Sequence, residues 1–238
     1  MGYLGYLIFS LPVIILSLIC QQRVNSAYKK YSLINNSRRI TGAQAAQAVL
    51  QHYGVYNVKI VPCAGKLTDN FNPQTNTISL SEGVFNSTSV AAVGIACHEA
   101  GHAVQHAENY KPNEIRTALV PVTNFGSRFG LIIAFAGYFI AAGTMLSSIG
   151  YYIIIAGLAL YGLTALFQLV TLPVEFNASS RALSVIEETG LLAGDEYKAA
   201  KSVLSAAAMT YVAALATSVV NLLYYVLRLL GTSGRRRR

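Results

Sequence analysis

Long apolar blocks alternate with polar stretches along this 238-residue chain. The first block, residues 3–20, is just long enough to cross about 30 Å of hydrocarbon as a helix. No basic stretch precedes the block and no small-residue cleavage site follows it, whereas basic residues begin soon after it. This order predicts an uncleaved N-terminal membrane anchor at residues 1–22.

Three further apolar blocks lie in the second half of the chain. Residues 129–149 and 151–172 contain no charged residue, and Ser147–Gly150 is the only break between them. They predict a tight transmembrane hairpin at 129–172. A fourth block covers residues 203–227 and carries a stripe of small side chains suited to close helix packing in lipid. The sequence leaves open whether this block spans the membrane or is re-entrant.

The polar region at residues 23–128 contains signals for two helices. Thr41 and Gln44 match the capping-box pattern, in which each side chain bonds the backbone of the other. The helix that they open can close at Gly54, a residue type common at helix ends. A longer helical run is predicted at 87–106, behind three possible N-caps.

Two short strands are predicted between these helices. Residues 58–63 and 77–81 alternate between apolar and polar positions, and the first of them is rich in β-branched side chains. The cluster at 69–76 is typical of a turn, so we expect the two strands to pair. Residues 77–85 are also a candidate edge strand for binding an extended peptide, with plain structural pairing as the alternative.

Composition supports a membrane protein and argues against several other classes. Hydrophobic residues make up 53% of the chain and charged residues 12%, about half the usual share in a soluble domain. This balance excludes a disordered chain and a nucleic-acid-binding basic domain. The three cysteines form no CxxC pattern, so they predict reduced apolar side chains rather than disulfides or a metal cluster.

The distribution of the basic residues predicts an orientation in the membrane. If the first three blocks span, residues 21–128 and 173–202 lie on one side and hold 13 of the 18 basic residues, whereas the hairpin turn holds none. By the positive-inside rule this side is cytoplasmic, in a multi-pass protein of the cell (inner) membrane. Arg235–Arg238 oppose this orientation if the fourth block also spans.

The candidate chemistry lies in HEAGHAVQH at residues 98–106. His98 and His102 are one helical turn apart, so both imidazoles project from one face and can reach a single ion about 2 Å away. Glu99 lies beside them, where a carboxylate can take a proton from metal-bound water. This is the HExxH arrangement of zinc peptidases, so we expect a Zn²⁺ site.

A catalytic zinc site needs a third protein ligand. No other histidine is well placed, so the third ligand is expected to be a carboxylate, and two glutamates are candidates. His106 is two turns beyond His98 and rotated by about 80° around the helix, too far to share the ion. It is expected either to contact a zinc ligand or to lie at the surface. Glu108 occupies the position that the third zinc ligand has in the pattern HExxHxxGxxH. However, position 105 is Gln where that pattern has the glycine that permits the sharp turn.

Glu175 is the favoured third ligand. It follows the third apolar block, where Pro173 and Val174 are expected to start a new helical segment. A carboxylate so close to about twenty apolar residues is costly unless it is paired or binds a metal. The alternative is an interfacial carboxylate that caps a helix. The predicted hairpin returns this residue to the membrane face that carries the two histidines.

Several segments together resemble the YugP-type membrane zinc metallopeptidases, which are distant relatives of the HtpX and CAAX prenyl proteases. The segments are HEAGHAVQH, LTDNFNP with TISLSEGVF, ALVPVTNFGS and TLPVEFNASSRAL. The resemblance covers nearly the whole chain. It implies a zincin in which His98, His102 and Glu175 bind Zn²⁺ and Glu99 is the general base.

The resemblance also points to groups that orient the zinc ligands, and here the sequence departs from the family patterns. HtpX-like proteins carry an acid where this chain has Ser179, and YugP-type proteins usually have Asp where it has Asn177. The candidate orienting residues are Asn177, Ser179, Arg181 and His106. Arg116, Arg181 and several tyrosines are candidates for the oxyanion donor.

The expected fold is mainly α with a small β-sheet, an integral membrane, zincin-like metallopeptidase whose transmembrane helices surround a cytoplasmic catalytic region. That region is 23–128, with the third ligand on a helix at 173–202 and a hydrophobic helix with a basic tail at 203–238. The expected partners are a peptide or membrane-protein substrate and the lipid bilayer, without nucleic acid, and the oligomeric state is left open. The alternative function is a non-proteolytic zinc-binding membrane scaffold or regulator; the intact Glu99 favours the peptidase.

Overall fold

The computed structural model describes residues 3–143 and 147–235. Within these ranges the chain is mainly helical and contains one small sheet, as predicted. The elements in chain order are α1 Tyr3–Tyr31, α2 Gly42–His52, β1 Lys59–Cys63, β2 Asn70–Asn72, β3 Thr77–Ser81, α3 Glu82–Phe85, α4 Val90–Ala107, α5 Lys111–Gly143, α6 Ser147–Glu188 and α7 Asp195–Arg235.

The chain divides into two compact units. The first unit consists of residues 1–19, 115–171 and 211–238, and the second of residues 20–114 and 172–210. The division falls inside the four long helices α1, α5, α6 and α7. The second unit contains the sheet, the shorter helices and every residue of the candidate zinc site.

Four helices of the described chain are long and apolar enough to cross a membrane. Their candidate spans are Gly5–Tyr31, Lys111–Ala141, Ser148–Glu188 and Asp195–Leu230. The last span belongs to an unbroken helix of 41 residues, which favours a crossing over the two half-helices of a re-entrant loop. Of the terminal arginines, residues 236–238 lie outside the described residues.

The hairpin turn predicted at Ser147–Gly150 is wrong, because these residues already belong to α6. Helix α5 ends at Gly143, and residues 144–146 are not among those described. Gly150 serves close packing instead of a turn. A Cβ at this position would lie 2.7 Å from the carbonyl oxygen of Gly137 in α5. The glycine therefore allows the two backbones to touch within the first unit.

Side-chain caps start the two helices that were predicted in the second unit. Thr41 Oγ1 accepts a hydrogen bond from the Gln44 N–H at 3.2 Å, and Gln44 Oε1 accepts one from the Thr41 N–H at 2.9 Å. This confirms the capping box. Ser89 Oγ accepts from the Ala92 N–H at 3.2 Å at the start of α4. Both helices therefore begin where side-chain oxygens satisfy backbone donors that have no partner within the helix.

The three-stranded sheet has the order β1-β3-β2. Strand β1 pairs with β3, as predicted, but the two strands are parallel and are not joined by a hairpin turn; β2 pairs with β3 antiparallel. Residues 69–76 thus contain a strand as well as a turn. The edge-strand assignment of 77–85 is wrong, because β3 has a neighbour on both sides and residues 82–85 form α3.

The core of the second unit surrounds α4 and holds it in place. It combines buried apolar side chains of α2, β3, α4, α6 and α7. Its fully buried members include Val49, Leu50, Ile78, Leu80, Val93, Val104 and Ile186. Burial of side chains of this size contributes about 1.5–3 kcal/mol each, so the helix that carries the HExxH motif is fixed on most of its surface.

Helix α6 runs without interruption from Ser147 to Glu188 and includes Pro173. The prediction that Pro173 and Val174 start a new segment is therefore wrong. A proline inside a helix removes one backbone donor, and long membrane helices tolerate it because neighbouring groups satisfy the freed carbonyl. Glu175 consequently belongs to the interior of a continuous helix rather than to a first turn.

Candidate metal centre

The two histidines of the motif lie one above the other on α4. Their ring centroids are 4.7 Å apart and the ring planes cross at 81°. The preceding turns of the helix are buried in the core, and His102 is itself 9% exposed. Both side chains are therefore held on a rigid, largely enclosed helix, as expected from the apolar residues before the motif.

Glu175 brings a carboxylate from α6 to these histidines. Its Oε2 atom lies 3.3 Å from His98 Nε2 and 3.4 Å from His102 Nε2. The residue is only 2% exposed, and the ligand atoms of the three residues all lie within 4.8 Å of one another. Glu175, which lies 77 positions after His98 and 73 after His102 in the chain, thus meets both histidines at one point.

The donor set and its spacing fit zinc. Two imidazole nitrogens and one carboxylate oxygen are typical zinc ligands, and three protein ligands leave a fourth position open. Bonds of about 2.0–2.2 Å in a tetrahedral arrangement separate neighbouring ligand atoms by about 3.4 Å. The two separations from Glu175 match this value, at 3.3 and 3.4 Å.

The structure does not bring Glu108 to this group. Glu108 forms the C-cap of α4, and its Oε2 atom lies 2.7 Å from Arg181 Nη1. His106 is exposed, with its ring centroid 5.7 Å from that of Phe71. The glutamate that meets the two histidines is therefore the one from α6, and His106 occupies a surface position.

Each histidine has a polar neighbour on its second ring nitrogen. Ser179 Oγ lies 3.0 Å from His98 Nδ1, which brings this predicted residue directly to a ligand. Gln105 Oε1 lies 3.0 Å from His102 Nδ1. Sequence reasoning missed Gln105, which it treated only as a departure from a glycine pattern. The available signal was its position three residues after His102, on the same face of the helix.

The predicted residues Asn177 and Arg181 reach the site indirectly. Asn177 Oδ1 accepts from Gln105 Nε2 at 2.9 Å and from Arg181 Nε at 2.8 Å. Arg181 also pairs with Glu108 and lies over the ring of Tyr53. The Arg181 side chain is thus shared between Asn177, Glu108 and Tyr53.

Glu99 and Cys97 flank His98 in different environments. Glu99 is half-buried, and within residues 3–143 and 147–235 its carboxylate has no hydrogen bond or ion pair. Cys97 is fully buried in the core, and this burial raises the pKa of its thiol far above the usual value. All three cysteines are free, as predicted. Glu99 therefore presents a half-buried carboxylate next to the first histidine.

An HExxH helix that meets a buried glutamate, in a chain with four helices able to span a membrane, defines a zincin-like membrane metalloprotein. The chain belongs to the family described as "Putative neutral zinc metallopeptidase", whose sequence profile matches residues 6–230. It is 38% identical over 222 residues to "Putative membrane protease YugP" of Bacillus subtilis (strain 168), covering 93% of this chain and 95% of that protein. No solved structure matches it. Zinc is accordingly the metal of this family.

Proposed function

We propose that this protein is a membrane-embedded zinc endopeptidase. The observation that carries the proposal is the convergence of His98, His102 and Glu175, with Glu99 next to the first histidine. The family description and the name of the Bacillus subtilis relative support a role in peptide-bond hydrolysis. A non-proteolytic zinc scaffold has no need of a carboxylate at position 99.

The chemistry assigns a separate task to each residue. When bound, zinc supplies a Lewis acid that polarises the scissile carbonyl and acidifies a water molecule. His98, His102 and Glu175 would hold the ion, and Glu99 would accept the proton of the attacking water and pass it to the leaving amine. The largely buried surroundings of the ligands strengthen these electrostatic interactions.

We propose that the substrates are membrane proteins or peptide segments near the membrane, and that the site faces the cytoplasm. Four helices able to span a bilayer would keep the site close to the lipid surface. The side that carries 13 of the 18 basic residues is the one that contains the zinc ligands.

Substitution of Glu99 tests the proposed chemistry. In purified full-length protein, Glu99→Gln keeps the size of the side chain but removes the proton acceptor. We expect normal zinc content and a loss of about 100- to 10,000-fold in the cleavage rate of an unfolded protein substrate. Mass spectrometry of the fragments distinguishes internal cleavage from trimming at the termini.

Glu82→Gln is the matched control, because Glu82 is exposed in α3. It should leave both zinc content and cleavage unchanged. Unchanged cleavage by the Glu99→Gln protein would reject the assignment of the base. A wild-type protein that binds zinc but cleaves no substrate would favour the scaffold instead.

A further inference from the structure

A continuous run of polar contacts connects His102 with the surface. Gln105 Oε1 lies 3.0 Å from His102 Nδ1, and Gln105 Nε2 donates to Asn177 Oδ1 at 2.9 Å. Arg181 Nε donates to the same oxygen at 2.8 Å, and Arg181 Nη1 lies 2.7 Å from Glu108 Oε2. Gln105 is fully buried, whereas the Glu108 side chain is 45% exposed. The run therefore links a buried zinc ligand to an ion pair at the surface.

Arg181 sets the direction of the hydrogen bonds in this run. An arginine side chain only donates, so the Asn177 atom that it contacts must be the carbonyl oxygen. The same oxygen faces Gln105, which must therefore present its NH₂ group. The Val174 carbonyl, 2.8 Å from Gln105 Nε2, requires the same orientation independently, because a backbone carbonyl only accepts.

This orientation leaves the carbonyl oxygen of Gln105 facing His102. Because the oxygen only accepts, His102 Nδ1 must carry a proton, which leaves Nε2, facing Glu175, as the nitrogen that can bind zinc. Zinc binds the unprotonated nitrogen of a neutral imidazole. We propose that Gln105 is a positioning residue: held by Asn177, it fixes His102 in the tautomer that binds zinc before the metal arrives.

His98 is restrained differently. The Ser179 hydroxyl, 3.0 Å from His98 Nδ1, rotates and can donate or accept. It is therefore compatible with both tautomers of His98, whereas Gln105 is compatible with one tautomer of His102. The polar run thus preorganises one of the two imidazoles, and loss of Ser179 should weaken zinc binding less than loss of Gln105.

The inference rests on the proposed zinc site, but zinc affinity tests it without reference to cleavage. Gln105→Met keeps the volume and removes the acceptor. Asn177→Leu removes the oxygen that accepts from Gln105 and Arg181, whereas Asn177→Asp keeps such an oxygen. Val104→Ala, buried beside Gln105 in α4, controls for a general loss of packing. Affinity is measured on full-length protein in detergent, by competition with a chelator.

We expect Gln105→Met and Asn177→Leu to bind zinc about 10- to 100-fold more weakly, the usual effect of removing a partner of a ligand. Asn177→Asp should bind zinc as tightly as the wild type. Val104→Ala should lower thermal stability without changing affinity. In addition, ¹⁵N NMR of the zinc-free wild type should show His102 protonated on Nδ1, with a mixture of tautomers in Gln105→Met.

Equal zinc affinity of Gln105→Met and the wild type would overturn the proposal, as would equal losses in Asn177→Asp and Asn177→Leu. If Gln105→Met does not fold, the NMR spectrum of the wild type decides, because a His102 that lacks a proton on Nδ1 rejects the inference. Failure of the wild type to bind zinc at all would overturn the proposed function instead.

Discussion

Gly101 lies directly against the backbone of Ala178. A Cβ at position 101 would be 2.6 Å from the Ala178 carbonyl oxygen, closer than any carbon side chain can approach. Gly101 belongs to the HExxH helix, and Ala178 follows Glu175 by three residues in α6. The absence of a side chain at this one position therefore allows the two ligand-bearing helices to meet at zinc-binding distance.

Gly101→Ala should consequently damage both stability and the zinc site. The added methyl forces α4 away from α6, and overpacking of this kind costs about 1–3 kcal/mol. Because the histidines and Glu175 then separate, zinc affinity should fall as well. Thermal unfolding and chelator competition on the purified protein measure the two effects.

Gly94→Ala is the matched control in the same helix. A Cβ there would lie 3.4 Å from the Ala200 Cβ, which is an ordinary contact. Since alanine favours a helix over glycine by up to about 1 kcal/mol, this variant should be as stable as the wild type or more so. Equal behaviour of the two variants would contradict the close contact at Gly101.

Metal content distinguishes the two candidate third ligands. At saturating zinc, wild-type protein should hold about one ion per chain, and His98→Ala and Glu175→Ala should hold almost none, because two remaining donors bind weakly. Glu108→Ala should keep its zinc, since Glu108 pairs with Arg181. Elemental analysis after gel filtration measures the content. Loss of zinc from Glu108→Ala but not from Glu175→Ala would move the ligand to Glu108.

Features coded by neighbouring residues could be predicted from the sequence. The capping box of Thr41 and Gln44 and the cap at Ser89 depend on contacts within three residues. The spacing of His98 and His102 fixes a common helix face. Glu175 could be inferred because a carboxylate after a long apolar block needs a partner.

Features that depend on distant residues could not be predicted in the same way. Strand β2 has only three residues, and it forms because β3 offers a partner. The part played by Gln105 depends on the Val174 carbonyl, 69 positions away. Pro173 shows the opposite case, in which a strong local signal for a helix start is overridden by the continuous helix around it.

Glycines at the contact between α5 and α6 predict that adding even a methyl group there destabilises the first unit. A Cβ at Gly157 would lie 2.5 Å from the Gly130 carbonyl oxygen. In lipid, helix association depends on such close packing, so Gly157→Ala should lower the unfolding temperature in detergent. Gly162→Ala is the control, because the nearest atom to a Cβ at position 162 would be a Leu222 methyl carbon at 3.6 Å. A similar loss in both variants would argue against the contact.

Thiol labelling tests the proposed orientation of the second unit. Cys63 is half-buried at the end of β1, whereas Cys97 and Cys20 are buried. Burial also raises the pKa of the Cys97 thiol, so little of it is present as the reactive thiolate. In folded protein, a maleimide should therefore react with Cys63 and leave Cys97 unmodified until denaturant is added.

Since Cys63 belongs to the unit that contains the zinc ligands, its labelling in cells reports the side on which the site lies. A membrane-impermeant maleimide should label Cys63 only after the cells are permeabilised, because a cytoplasmic thiol is otherwise out of reach. Cys63→Ser should abolish the signal under both conditions. Labelling of intact cells at Cys63 would place the site on the outer face and contradict the orientation inferred from the basic residues.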